Sequence, residues 1–142
     1  MYNLDIHVID IATFFLYGVL FDPLYMNIPA GWAEDGIDPT LYCWRLKKGL
    51  YRCPQAGHCA QQELTAALAK GDQFVKSSAD DCLHVSNDDS TGYAACGHFV
   101  DDLLCIGDKK GLAKLTPTMT NKFGRDQPQD VPRSANRTKS QG

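Results

Sequence analysis

No lysine or arginine precedes Arg45, although Asp5, Asp10, Asp22, Glu34, Asp35 and Asp38 all do. A secretory signal has a basic segment ahead of its apolar core, so the apolar stretch at residues 11–21 is not expected to be one. It is also too short to span a bilayer, and reads as a buried strand and helix start. The six cysteines (Cys43, Cys53, Cys59, Cys82, Cys96 and Cys105) include no C-x-x-C pair. They are expected to be buried free thiols of an intracellular, non-secreted protein rather than a disulfide framework. No internal repeat is present. With a net charge of −3 and a pI near 5.7, there is no bulk electrostatic case for nucleic acid.

What is present suits one globular domain. A chain of 142 residues, 44% hydrophobic and 22% charged, can bury about two thirds of its unfolded surface in a single core. The charge is unevenly placed. Basic residues cluster at Arg45, Lys47, Lys48 and Arg52, and again between Lys109 and Lys139. An acidic first part beside basic patches fits a binder of phosphate backbones.

The segment Phe99-Val100-Asp101-Asp102-Leu103-Leu104-Cys105-Ile106 sets two adjacent carboxylates in an apolar, strand-like run. Burying an unpaired carboxylate is costly, so the pair belongs at a tight turn open to water, a metal or a substrate. A third carboxylate, Asp10, sits in the similar run Val8-Ile9-Asp10-Ile11-Ala12. Three such groups brought together would suit a hard divalent cation. Asp80-Asp81 and Asp88-Asp89 lie in polar surroundings and read as solvated turns.

Residues 4–11 read as a buried strand, with Asp10 near its end. Short strands are expected at 24–28 and 41–46, joined by a loop rich in Pro, Gly and Asp. Ala56, Ala60, Leu64, Ala67 and Leu68 recur at helical spacing between Pro54 and Gly71. Residues 82–86 and 93–99 flank a polar turn as a hairpin, and 103–107 return as another strand. Residues 109–123 read as a helix interrupted by Pro117. Beyond residue 123 the chain is polar and aperiodic. The expectation is a domain over 1–123 and a disordered tail over 124–142. The fold class is α+β, a mainly antiparallel sheet with helices packed on one face.

Five runs, in order, resemble the reverse transcriptases of copia-type retrotransposons. Residues 10–18 match the family pattern Asp-x-x-Thr-Ala-Phe-Leu-x-Gly, and Phe99-Val100-Asp101-Asp102 matches Tyr-Val-Asp-Asp. Between them lie Leu24-Tyr25-Met26-Asn27-Ile28-Pro29-Ala30-Gly31-Trp32, Arg45-Leu46-Lys47-Lys48-Gly49-Leu50-Tyr51 and Phe74-Val75-Lys76-Ser77-Ser78-Ala79-Asp80. The resemblance covers roughly residues 5–123. It implies a polymerase palm, template-primer and dNTP as partners, no membrane, and two-metal nucleotidyl transfer with Mg²⁺ ions about 3.5–4 Å apart. Asp10, Asp101 and Asp102 would be catalytic. Asp10, Asp101 and the Ile11 carbonyl would hold metal. Ile11, Phe15 and Gln55 would meet the nucleotide, Phe15 beneath its sugar.

Departures from the family accompany these matches. The run Leu-Tyr-Gly-Leu-Lys-Gln-Ala-Pro-Arg-x-Trp appears here as Leu50-Tyr51-Arg52-Cys53-Pro54-Gln55-Ala56-Gly57-His58-Cys59-Ala60. Arg52 thus replaces a glycine that lets the backbone approach nucleotide and template. Phe14 replaces a small alanine, and His98 an aliphatic residue. A fingers region would precede Met1, and thumb, RNase H and integrase segments would follow; none lies in these residues. The expected reading is a partly decayed palm fragment with little independent activity.

Two other readings compete. One is a domesticated module that binds nucleic acid or protein without catalysis, motivated by the basic residues from Arg45 to Arg52. The other is a small zinc-binding domain. If 82 faces 98 and 84 faces 96 across the hairpin, Cys82, His84, Cys96 and His98 share one face as a Cys₂His₂ set. The family is mainly apolar at three of these positions, so drifted sheet packing without stoichiometric zinc is expected.

Overall fold

The computed structural model describes residues 4–70, 74–88, 90, 92–124 and 137–139. Two antiparallel sheets organise them. The larger is formed by β1 (Asp5–Asp10), β4 (Val75–Lys76), β5 (Leu83–Asp88), β6 (Gly92–Phe99) and β7 (Asp102–Gly107), in the order β1-β7-β6-β5-β4. The smaller pairs β2 (Val19–Asn27) with β3 (Tyr42–Lys48) and β8 (Arg137–Lys139), in the order β2-β3-β8. A 3₁₀ turn at Phe14–Tyr17 links β1 to β2. The helices are α1 (Ala56–Ala69) and α2 (Lys109–Phe123). This is the α+β, mainly antiparallel arrangement expected from the sequence, with the strands divided between two sheets rather than joined in one.

Alternation along the strands sorts residues to two faces. Ala94, Cys96, Leu103 and Cys105 point inward, where Leu64 and Leu68 of α1 and Leu112, Leu115 and Met119 of α2 complete the core. The opposite face lacks such a cover: Ile6, Val8, Val75, Phe99 and Leu104 are all exposed. The helices therefore pack on one face only. Asp108 fixes where α2 begins, since its carboxylate accepts from the N–H of Gly111 at 2.8 Å and of Tyr93 at 2.9 Å. Those bonds hold its carboxyl below the ordinary range.

Several local expectations need correction. Pro117 lies inside a continuous α2 rather than interrupting it. The N–H it lacks would have bonded Ala113, and both residues are exposed, so water can satisfy the freed carbonyl. The apolar stretch 11–21 is not buried throughout. β2 begins within it, and Val19 and Phe21 are 53% and 56% exposed on the smaller sheet. Nor is β1 the buried strand expected: it lies at a sheet edge and is exposed except at half-buried Ile9. β2 and β3 are also longer than the strands expected at 24–28 and 41–46. Arg137–Lys139, within the segment expected to lack structure, pairs as β8 along the open edge of β3; the rest of 125–142 lies outside the described residues. All six cysteines are free thiols, but only Cys59, Cys96 and Cys105 are buried; Cys43, Cys53 and Cys82 are half-buried.

Candidate active site

The first carboxylate motif meets the second at the end of the β1–β7 ladder. Asp10 is the Cα partner of Asp102, and one step further the Ile11 N–H donates to the Asp101 carbonyl at 2.9 Å. Directly opposed residues of an antiparallel pair project to the same face. Asp10 and Asp102 therefore stand together on the uncovered face, while Ile11 turns into the core and is 2% exposed. Asp101 occupies the β6–β7 turn between Phe99, the partner of Asp102 across that hairpin, and Asp102 itself.

Among the described residues, three non-glycine residues adopt positive φ: Thr13 at 58°, Arg52 at 69° and Val100 at 57°. Such outliers cost of order 1–3 kcal/mol each and gather at functional sites. Val100 is the first central residue of the turn that carries Asp101, a place where glycine is preferred. Thr13 redirects the chain from β1 into the 3₁₀ turn. Arg52 occupies the third position of a turn closed by the Cys53 N–H donating to the Leu50 carbonyl at 3.1 Å. A positive φ there selects glycine. The backbone has kept the glycine conformation although the sequence has not kept the glycine.

Phe15 lies beside this turn, its ring edge-on to Tyr51 at 5.2 Å between centroids. The close fit of the 3₁₀ turn to α1 depends on Gly18, where an added Cβ would lie 2.6 Å from the Ala60 nitrogen. Gly49 is equally tight, 2.8 Å from the Phe15 carbonyl oxygen on the same test. Gln55 sits at the N-terminal end of α1, and its amide oxygen is buried with no hydrogen-bond partner among the described residues. Phe14, which replaces the family alanine, is a core residue at 3% exposure.

The donor chemistry of Asp10, Asp101, Asp102 and the Ile11 carbonyl suits a hard cation. The side chains do not form an assembled three-ligand site: the described residues hold no group of three or more His, Cys, Asp or Glu placed to bind a metal.

That result also bears on the Cys₂His₂ set. Its register is realised, since His84 faces Cys96 and the His98 N–H donates to the Cys82 carbonyl at 3.0 Å. The side chains go elsewhere. Cys96 turns to Cys105, and Gln61 reaches Cys82 at 3.8 Å. The His84 and His98 rings lie tilted toward each other at 5.7 Å between centroids, with both ring nitrogens of His84 and Nε2 of His98 buried and unpartnered among the described residues. Burial holds both imidazoles below the usual histidine range. For His84 the nearby charges of His98 and Lys76 add to this, and for His98 Asp80 opposes it.

Sequence reading alone missed the strained Thr13 and Val100 and the edge-on contact of Tyr51 with Phe15. Arg52 was visible only as a lost glycine. No described helix is long and apolar enough to cross a membrane.

Comparison with known proteins joins these features to a family. Residues 1–130 match the family of reverse transcriptases (RNA-dependent DNA polymerases). The chain is 29% identical over 122 residues to a retrovirus-related Pol polyprotein from transposon TNT 1-94 of Nicotiana tabacum, covering 85% of this chain and 9% of that protein. It is 33% identical over 126 residues to the corresponding polyprotein from transposon RE2 of Arabidopsis thaliana, covering 87% of this chain and 8% of that protein. No solved structure matches. The chain therefore spans less than a tenth of the curated relatives it matches. With its two carboxylate motifs joined across one strand pair, it belongs to the reverse transcriptase family, as a fragment of the copia type.

Proposed function

We propose that this chain is the palm segment of an RNA-directed DNA polymerase, partly decayed and of little activity by itself. The observation that carries this reading is the pairing of Asp10 with Asp102, together with the Ile11–Asp101 bond. It unites two motifs far apart in sequence at one exposed strand end. Asp10 and Asp101, with the Ile11 carbonyl, would hold two Mg²⁺ ions, and Asp102 would border them. When bound, such ions activate the 3′-hydroxyl of a primer and neutralise charge on the leaving pyrophosphate. Phe15, braced by Tyr51, would form the floor beneath the sugar of an incoming dNTP. Gln55, whose amide oxygen has no partner among the described residues, would orient on the nucleotide. An RNA or DNA template-primer would lie across the uncovered sheet face beside Phe99.

The decay has a physical locus. Phosphoryl transfer depends on positioning, and small misplacements cost orders of magnitude in rate. Arg52 places a long cation where the turn is built for glycine, next to the proposed floor.

A second reading rests on a separate observation. Arg45, Lys47, Lys48 and Arg52 are all exposed, three of them on β3. A non-catalytic nucleic-acid-binding module would use them, and would bind in a salt-sensitive manner without Mg²⁺.

Primer extension on a poly(rA) template, with Mg²⁺ or Mn²⁺, separates the readings. The isolated chain is expected to extend little. Grafted into an intact copia-type polymerase it should work better with Arg52→Gly than without, and Asp101→Asn should abolish that activity. A graft indifferent to Asp101→Asn would remove the catalytic reading. Rapid extension by the isolated wild-type chain, lost in Asp101→Asn, would remove the decay.

A further inference from the structure

Cys96 and Cys105 are direct partners across β6 and β7, both fully buried, with their sulfurs 2.9 Å apart. Two thiolates on one zinc would stand farther apart, about 3.8 Å for tetrahedral Zn–S bonds of about 2.3 Å. The contact is therefore too close for a shared metal, yet longer than a disulfide, about 2.05 Å. The backbone suits bond formation. Because the Asp108 N–H donates to the Tyr93 carbonyl, counting along the register makes Cys96–Cys105 a non-hydrogen-bonded pair. Such pairs have Cα atoms about 4.5 Å apart, inside the range a disulfide requires.

The geometry points to a covalent modification site: Cys96 and Cys105 close a cross-strand disulfide when the protein meets a peroxide. One thiolate attacks a peroxide oxygen, giving a sulfenic acid and hydroxide. The second thiol then displaces the sulfenic hydroxyl, which leaves as water with the thiol proton. In total two thiols and one hydrogen peroxide give one disulfide and two waters, sulfur being oxidised and oxygen reduced. The shared hydrogen bond already differentiates the two sulfurs, holding the Cys105 thiol down and, with burial, pushing that of Cys96 up.

The consequence concerns the hairpin tip. The cross-link would tie β6 to β7 three residues from Phe99 and from Asp102, beneath the turn that bears Asp101. It stands whether or not the chain polymerises.

The test oxidises the folded full chain with graded hydrogen peroxide, blocks remaining thiols by alkylation in denaturant, and maps the peptides by mass. The expected product is a Cys96–Cys105 linked peptide pair lacking two hydrogens, reversed by reductant, with the other four cysteines alkylated. Closing so short a loop should lower the unfolding equilibrium constant ten- to a hundredfold and slow amide exchange at Phe99 and Asp102. The mapping is read on wild type, so it survives if Cys96→Ala or Cys105→Ala fails to fold; where they fold, the linked peptide should be absent. Sulfinic acids on either residue, a link to Cys82, or thiols that stay alkylatable after oxidation of the half-buried cysteines would overturn the inference. Stoichiometric zinc shielding Cys96 and Cys105 would overturn it as well.

Discussion

Asp10 faces Asp102 across the β1–β7 ladder, two like charges in directly opposed positions. Like charges placed this way destabilise a sheet, by roughly 0.2–1 kcal/mol in the usual range of such pairs. Asp102→Asn should therefore stabilise the chain by about that amount in urea unfolding, at low salt, without divalent cations. Asp88→Asn, outside this pair, should not give the same gain. Equal or lower stability in Asp102→Asn would show that the two carboxylates do not repel as their register requires.

Arg52→Gly should raise stability, against the usual cost of introducing glycine. The backbone at Arg52 has φ 69°, and the left-handed region costs a non-glycine residue roughly 1–2 kcal/mol. Greater freedom of glycine in the unfolded chain offsets about 0.5–1 kcal/mol of this. The net gain should lie between about 0 and 1.5 kcal/mol, read as a higher urea midpoint at unchanged slope. The control is Arg45→Gly within β3, which should destabilise. If both substitutions destabilise equally, the turn is not held in the glycine conformation.

The pH dependence follows from the buried His84 and His98. Both folded-state pKa values are lowered, chiefly by burial. As pH falls through about 6.5, the unfolded chain takes up protons that the folded chain refuses. Stability should therefore drop below that pH, by up to about 1.4 kcal/mol per pH unit for each ring. The loss ends only where the folded rings themselves titrate. Urea unfolding across the acid side of neutrality should show this slope, shallower in His98→Leu. A stability flat or rising as pH falls through this window would contradict the burial of neutral imidazoles.

Gly18→Ala tests how the 3₁₀ turn is seated on α1. Its new Cβ would meet the backbone of Ala60 and Cys59, which cannot move away as a flexible side chain could. Overpacking of this kind costs about 1–3 kcal/mol. Thermal unfolding should show it, with Gly31→Ala, where an added Cβ meets nothing but φ is 82°, reporting the backbone cost alone. A Gly18→Ala chain as stable as wild type would mean that the turn can lift from the helix, and Phe15 with it.

Much of this was legible in the residues themselves. Carboxylates set in apolar runs marked Asp10, Asp101 and Asp102, because burial would be too costly anywhere but a strand end or turn. Periodicity gave α1 to within a residue, and alternation around a polar turn gave the β5–β6 hairpin, though not which register it takes. Composition could not show what depends on solvent and neighbours. Pro117 is tolerated because its helix face is exposed, and Arg137–Lys139 is a strand because β3 offers an open edge. Nor does residue type report φ: Thr13 and Val100, both β-branched, gave no sign of their left-handed backbones. The Cys₂His₂ set depended on one assumed register, which is the one formed, but the turn of Cys96 toward Cys105 came from a third strand.

The most direct measurement of the central claim is paramagnetic broadening of amide resonances by Mn²⁺, used in place of Mg²⁺. Residues 9–12 and 100–103 should broaden together, with one midpoint, and Asp10→Asn with Asp101→Asn should remove both effects. Broadening of only one segment, broadening centred on Asp35 and Asp38, or none at concentrations that saturate other carboxylate sites would contradict a shared cation site.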